Sequence, residues 1–230
     1  MKPLSNNLKE ISSFRESVYQ LFSLCLLQAP STELHPQFGD PEWRDSARIL
    51  LGSESEDLWR DLAREADVER LAIEHAALFV VPGPQQTFPF ETSYRERRVV
   101  DGESRPGRML GYTAVQVQRA YLEWGMPADL DTDELPDHAG VELRFMALMA
   151  AAERLSRNCS EDGCAVTILR AEADFLRCHI LQWFPQWLEC VYQRARWPFY
   201  KSGATVLRGF LEAEKTTLDQ LLNANATEAD

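Results

Sequence analysis

The residues best suited to chemistry crowd into one short stretch, Asp131 to Ala152, DTDELPDHAGVELRFMALMAAA. Glu134, Asp137, His138 and Glu142 fall within about two turns of what reads as a helix start. An Asp beside a His suggests acid–base catalysis. Neighbours on a helix start do not point at each other, however, and no Gly-x-Ser-x-Gly elbow supplies a nucleophile. His138 and Glu142, four apart on one face, suggest a metal, but neither His-Glu-x-x-His nor a paired Glu-x-x-His is present. Phosphate-cradling and dinucleotide glycine motifs are missing as well. The sequence therefore specifies no metal, no cofactor and no catalytic residue. What remains is a rigid set of carboxylates able to receive a cationic group. On the residues alone three classes stay open: a binding module, an enzyme using His138 with nearby carboxylates (for example on a nucleotide), and a helical scaffold without a ligand site.

The elements that position this stretch are helical. Pro136 fixes its own φ and biases Leu135 away from the helical region, so Asp137 is expected to cap the helix that follows. Val141, Phe145, Leu148, Ala152 and Leu155 recur at spacings of four and three, which predicts one buried face. The simplest reading then has His138 satisfying a backbone group and Glu142 at the solvent edge. Ser5 to Gln28 reads as the first helix, stopped by Ala29-Pro30, and Pro41 to Leu51 as a short second. Glu54 to Ala66 is next, followed by a helix capped by Asp67 with Val68, Leu71, His75, Leu78 and Phe79 on one face. His75 is expected to be a packed, hydrogen-bonded histidine. Met109 to Trp124 should stop at Gly125, and the central helix runs to about Arg157. Ala165 to Phe184, a helix begun by Pro185, and Phe199 to Leu222 complete the set. Val99-Val100 and Phe79-Val80-Val81 are too short to seed a sheet. The expectation is an all-α fold, a single helical domain of about nine or ten helices over residues 1–222, with a frayed tail at 223–230.

Two segments stand apart. Val81 to Pro89 (VPGPQQTFP) is rich in proline and leads into Phe90; Phe88 and Phe90 give it apolar surface. Glu91 to Arg108 mixes Arg95, Arg97, Arg98, Arg105 and Arg108 with Glu96, Asp101 and Glu103, which reads as a solvated face with a mobile loop near Gly102 to Gly107.

The formal net charge is −12, which disfavours nucleic acid and favours a basic partner. No apolar run approaches the roughly 18 residues of a membrane helix, and the N-terminus lacks a signal-peptide core. Five cysteines with no Cys-x-x-Cys pair suit a reducing compartment; Cys25, Cys178 and Cys190 are expected to pack as small hydrophobes. A cytoplasmic location follows as an expectation.

Glu134-Leu135-Pro136-Asp137-His138, with Gly140-Val141-Glu142-Leu143 and Phe145-Met146 after it, resembles the signature of the TorD/DmsD family of molybdoenzyme maturation chaperones. Leu78-Phe79, Phe90-Glu91-Thr92-Ser93-Tyr94, and the pattern Phe175, His179, Trp183, Phe184, Phe199 and Tyr200 extend the likeness over residues 70–212. One departure is His75, where the family often carries an aromatic residue. The resemblance implies a TorD-like helical chaperone, not an enzyme. Its partner would be a molybdoenzyme catalytic subunit and that subunit's twin-arginine signal peptide; it would be a monomer or a homodimer. In the family the Asp-His pair is implicated in peptide binding, which here means Asp137 and His138, with Glu134 and Pro136 in the same motif. Glu134, Asp137 and Glu142 are candidates to receive the arginines. Phe88, Phe90, Tyr94 and Met146 are candidates for an apolar wall, with Glu91 in the adjoining motif. Protonated, His138 would repel the basic peptide and pair with Asp137, so somewhat weaker binding is expected at mildly acidic pH.

Overall fold

The computed structural model describes residues 4–31, 55–63, 67–128, 130–159 and 162–227. The short helix expected from Pro41 to Leu51 lies outside them. Helices α1 (Leu4–Leu27), α2 (Ser55–Ala63) and α3 (Val68–His75) come first, and α3 runs into a π turn at Ala76–Val80. The Asp67 side chain accepts the Arg70 N–H, so the expected cap on α3 is in place. After the proline-rich segment come α4 (Glu91–Arg95), α5 (Tyr112–Glu123), α6 (Ala139–Asn158) and α7 (Asp162–Phe175). A second π turn, Leu176–Ile180, joins α7 to α8 (Leu181–Arg194), and α9 (Pro198–Thr227) ends the described chain.

The fold is all-α apart from one hairpin among the described residues. Strands β1 (Arg98–Val100) and β2 (Glu103–Arg105) pair antiparallel, Val99 facing Ser104. Asp101 and Gly102 both take positive φ, 54° and 80°, the geometry of a tight primed turn. The stretch read as a mobile loop is therefore a small arm. Val99-Val100 do form a strand, because the turn chemistry of Asp-Gly makes up for the short length.

Helix α6 is the axis of the molecule. It lies along α1 and beside α7, while α9 packs across α2, α7 and α8. Close approach of α1 and α6 depends on Gly140, where an added Cβ would sit 2.7 Å from Leu27 Cγ. Ser23 Oγ donates to the Gly140 carbonyl at 2.7 Å across the same contact. The buried face of α6 differs from the expected stripe. Val141 and Phe145 are buried, but Leu148 and Leu155 are exposed, Leu155 by 55%. Met146, Met149, Glu153 and Arg157 are buried instead.

That substitution has a cause in α1. Arg15, fully buried, donates through Nε to Glu214 at 2.7 Å, and its guanidinium also pairs with Glu172 and lies 3.8 Å from Glu153. Tyr19 donates to Glu214 at 3.2 Å, and Arg157 pairs with Glu153 one turn along α6. One guanidinium thus ties α1, α6, α7 and α9 together.

Two other junctions depart from expectation. Pro185 does not begin a helix but lies inside α8. The tail after Asn223 continues as helix to Thr227. Elsewhere Gly125 takes φ 68° at the end of α5, as a helix stop requires. Glu74, buried in α3, accepts the N–H groups of Arg196 and Trp197 and fixes the bend before Pro198. His75 is buried, with Nε2 3.3 Å from the Leu26 carbonyl oxygen.

Candidate functional site

The signature stretch and the segment after the prolines are clasped together. The Glu91 N–H donates to the Asp137 carbonyl at 2.9 Å and the Ala139 N–H to the Pro89 carbonyl at 2.8 Å, making an antiparallel bridge between Phe90 and His138. Their rings meet edge to face at 5.2 Å. The turn before it is wound tightly: Leu130 (φ 51°) and Asp131 (φ 55°) are both left-handed, and Leu130 is buried as an anchor.

Asp137 does not cap α6. His138 does, accepting the Gly140 N–H at Nδ1 over 3.1 Å. Asp137 turns the other way and caps the first turn of α4, its Oδ2 accepting from Thr92 N at 3.0 Å and Thr92 Oγ1 at 2.5 Å. The expected carboxylate cap is real, but it serves a helix from a different part of the chain. Sequence reasoning missed this because a cap is sought a few residues downstream.

Around this clasp the structure gathers three acids. Glu91, fully buried, accepts from Arg95 Nη1 at 2.5 Å and lies 3.0 Å from His179 Nδ1. Arg95 Nη1 also reaches the Cys178 carbonyl at 3.0 Å, so the second π turn supplies both contacts. Glu142 is 0% exposed, and Trp183 Nε1 donates to its Oε2 at 3.2 Å. The expectation of a Glu142 at the solvent edge is overturned: its position on α6 faces the core, not water. Tyr121 closes the base by donating to the Pro136 carbonyl at 2.8 Å. Asp137 Oδ1 and Glu142 Oε1 have no hydrogen-bond partner among the described residues.

Burial governs the protonation of the group. It raises Asp137, against the opposing hydrogen bonds from Thr92. It raises Glu142 well above the ordinary carboxyl range, with Glu91 adding to the effect, so Glu142 is held towards its neutral acid form. His138 is driven down to about 3, by burial first and His75 second. Burial and the Gly140 N–H on its Nδ1 both favour the neutral imidazole, which opposes the expected loss of binding at mildly acidic pH.

Of the residues picked out by sequence, Phe90, Glu91, Pro136, Asp137, His138 and Glu142 come together in this clasp, all buried. Tyr94 lies beside them, its ring 5.5 Å from Trp183. Met146 is wholly buried in the core and offers no wall to a ligand. Glu134 is exposed on the acidic loop. Phe88 is 39% exposed and, with Val80 at 63% and Val81 at 53%, leaves apolar surface on the proline-rich segment. Thr92, Arg95, Tyr121, His179 and Trp183 were not singled out as site residues. Only Arg95 carried a local signal, four residues after Glu91. No group of His, Cys, Asp and Glu able to hold a metal occurs among the described residues. Cys178 is exposed and does not pack as expected.

A helical scaffold that clasps its own signature against a proline-rich segment defines the class, and comparison with known proteins gives the family. Residues 51–189 match the family model described as nitrate reductase delta subunit. The chain belongs to this family, which is the TorD family of the sequence resemblance. The chaperone protein TorD of Salmonella bongori is 26% identical over 230 residues, covering 94% of this chain and 95% of that protein. The TorD chaperone of Vibrio cholerae serotype O1 (strain ATCC 39541 / Classical Ogawa 395 / O395) is 24% identical over 160 residues. Those are 69% of this chain and 66% of that protein, just under two thirds of its length. The chlorate reductase assembly chaperone protein of Ideonella dechloratans is 27% identical over 135 residues, 56% of this chain and 64% of that protein. A crystal structure of a candidate redox enzyme maturation protein from Archaeoglobus fulgidus superposes with a TM-score of 0.50 at 21% identity. It covers 86% of this chain and 93% of that one, and shows that the fold is shared. These relatives are chaperones and assembly proteins, not catalysts.

Proposed function

We propose that this protein is a cytoplasmic maturation chaperone for a molybdopterin-containing oxidoreductase. It binds the client's twin-arginine signal peptide, its apo form, or both, and holds the client for cofactor insertion before export. Family membership and the names of the relatives support the chaperone role. No helix among the described residues is long and apolar enough to cross a membrane.

The observation that carries the peptide reading is the clasp itself. The proline-rich segment presents Val80, Val81 and Phe88 outward, and its far end is pinned to the buried acids by Asp137. An apolar peptide body gains by covering such a surface, and the net charge of −12 draws a basic head towards the protein. Asp137 then acts chiefly by holding the segment in place through Thr92, because its own carboxylate is 1% exposed.

The test is calorimetric titration of the purified protein with signal peptides of molybdoenzymes, using wild type, Asp137→Ala and Thr92→Val. The expected outcome is saturable binding weakened about tenfold by either substitution, with helical content retained. Unchanged affinity in both folded variants would sink the role of Asp137. A large loss in Asp137→Ala alone would mean that the carboxylate touches the peptide directly.

A further inference from the structure

The acids expected to receive a basic head are mostly buried, yet two others are not. Beside the clasp an open surface pocket of about 230 Å³ lies between α5, α6, α7 and the second π turn. Its apolar lining includes Trp124, Phe145 and Phe175, with Phe145 and Phe175 ring centroids 4.6 Å apart. His179 stacks on Phe175 at 4.8 Å with 29° between the planes, and its Nδ1 is already held by Glu91. Glu123 from α5 and Asp174 from α7 line the same pocket. Both are exposed, and neither is engaged by an ion-pair or hydrogen-bond partner among the described residues. No Lys or Arg lines the pocket.

We propose that this pocket binds an arginine side chain of the partner peptide, its guanidinium held between Glu123 and Asp174 against the partly exposed Trp124 ring. The assignment rests on the peptide-binding reading above and names where the basic head goes. Three features fit that guest. Two carboxylates from separate helices line one pocket that holds no Lys or Arg, which suits a cationic guest. A planar guanidinium can donate to both at once, where an ammonium acts as a point charge. Aromatic faces attract a cation, and they accept the flat face of a guanidinium by stacking. Behind the lining, Glu91 lies 3.0 Å from His179 Nδ1 and fixes that imidazole in the wall. A cationic side chain seated here lies next to the clasp, so the peptide that follows it can reach the proline-rich segment.

The test compares an acetylated Arg-Arg-Leu-Leu-Leu amide with the same peptide carrying citrulline in place of both arginines. Citrulline keeps the shape and removes the charge. Both are titrated into wild type, the double variant Glu123→Gln/Asp174→Asn, and Glu69→Gln, an exposed acid outside the pocket, as a control. Both exchanged side chains are exposed, so the double variant should fold, which circular dichroism verifies. Wild type should prefer the arginine peptide by about tenfold or more, and the double variant should lose that preference. The Glu69→Gln control should keep it. A double variant that retains the full preference overturns the pocket, and so does a wild type indifferent to the exchange. If the preference follows Glu123 and Asp174 but no molybdoenzyme signal peptide binds, the pocket stands and the signal-peptide reading falls.

Discussion

Two groups of buried carboxylates share helix α6, about 16 Å apart along its axis, and they are built on opposite plans. The lower group gathers Glu153, Glu172 and Glu214 around Arg15, with Arg157 as a second cation and Tyr19 as a donor. Burial works against the charge on Arg15, but Glu172 and Glu214 outweigh it and the guanidinium is held firmly protonated. The upper group gathers Glu91, Asp137 and Glu142 with a single cation, Arg95, at its rim. Its acids accept from backbone N–H, hydroxyl and indole groups and face an imidazole instead, with Asp137 Oδ1 and Glu142 Oε1 left without a partner among the described residues. A buried charge matched by an opposite charge fastens helices together. A buried acid matched by neutral donors is pushed towards its neutral form and fixes the backbone of the clasp, beside the surface where this chain meets its proposed ligand.

Removing the central cation should have the largest effect. Arg15→Met strands the buried carboxylates of Glu172 and Glu214 and should cost about 3–5 kcal/mol of stability, read from the urea midpoint. The same variant, once folded, should bind peptide as wild type does. A small stability loss would mean that the four helices are fastened by packing alone.

Both groups should also respond to pH. Glu142 has a folded pKa above its unfolded value of 4.5. The stability of its buried acid form is complete below that value and is lost as pH rises towards the folded pKa. Glu142→Gln does not titrate, so its stability relative to wild type should climb above pH 4.5, by up to about 1.4 kcal/mol per pH unit. Glu172 behaves likewise, its folded pKa raised by burial, against the pull of Arg15, to about 7. The advantage of Glu172→Gln should therefore level off near pH 7. A Glu172→Gln advantage that is flat between pH 4.5 and 7 in denaturation at several pH values would overturn this account of the Arg15 group.

Phe88→Ala should have the smallest effect on stability, within about 0.5 kcal/mol, since the ring is partly exposed. Peptide affinity should fall all the same. An affinity unchanged by Phe88→Ala would move the apolar contact away from the proline-rich segment.

The contrast also explains what could be read in advance. Helix type followed from apolar spacing, and the Asp67 cap and the Gly125 stop from local chemistry; these depend on residues a few positions apart. Arg15 could not be read, since its partners Glu172 and Glu214 lie 157 and 199 residues away in sequence. Periodicity counts a charge as outward-facing, so Glu153 and Arg157 were passed over and Leu148 and Leu155 chosen for the core. The site was half legible. His138 satisfies a backbone N–H as expected, but Asp137 serves α4 and not α6, because its partner is Thr92, 45 residues earlier. Pro185 misled for a related reason: a proline reads as a start, yet α8 continues through it. The aromatic pocket carried no signal, being assembled from three helices and a π turn.

The bridge between Phe90 and His138 bears on timing as well as on energy. It fastens both ends of the excursion from Glu91 to Asp137, which contains α4, the hairpin arm and α5. Closing so long a loop is entropically costly, so in folding the bridge should form after the helices it joins. In the native state the same bridge is a natural place for the chain to part, and its opening would release the whole excursion at once. The amides of Glu91 and Ala139, one from each strand of the bridge, should then exchange with solvent at a common rate. That rate would be the clock for any guest that has to pass beneath the proline-rich segment.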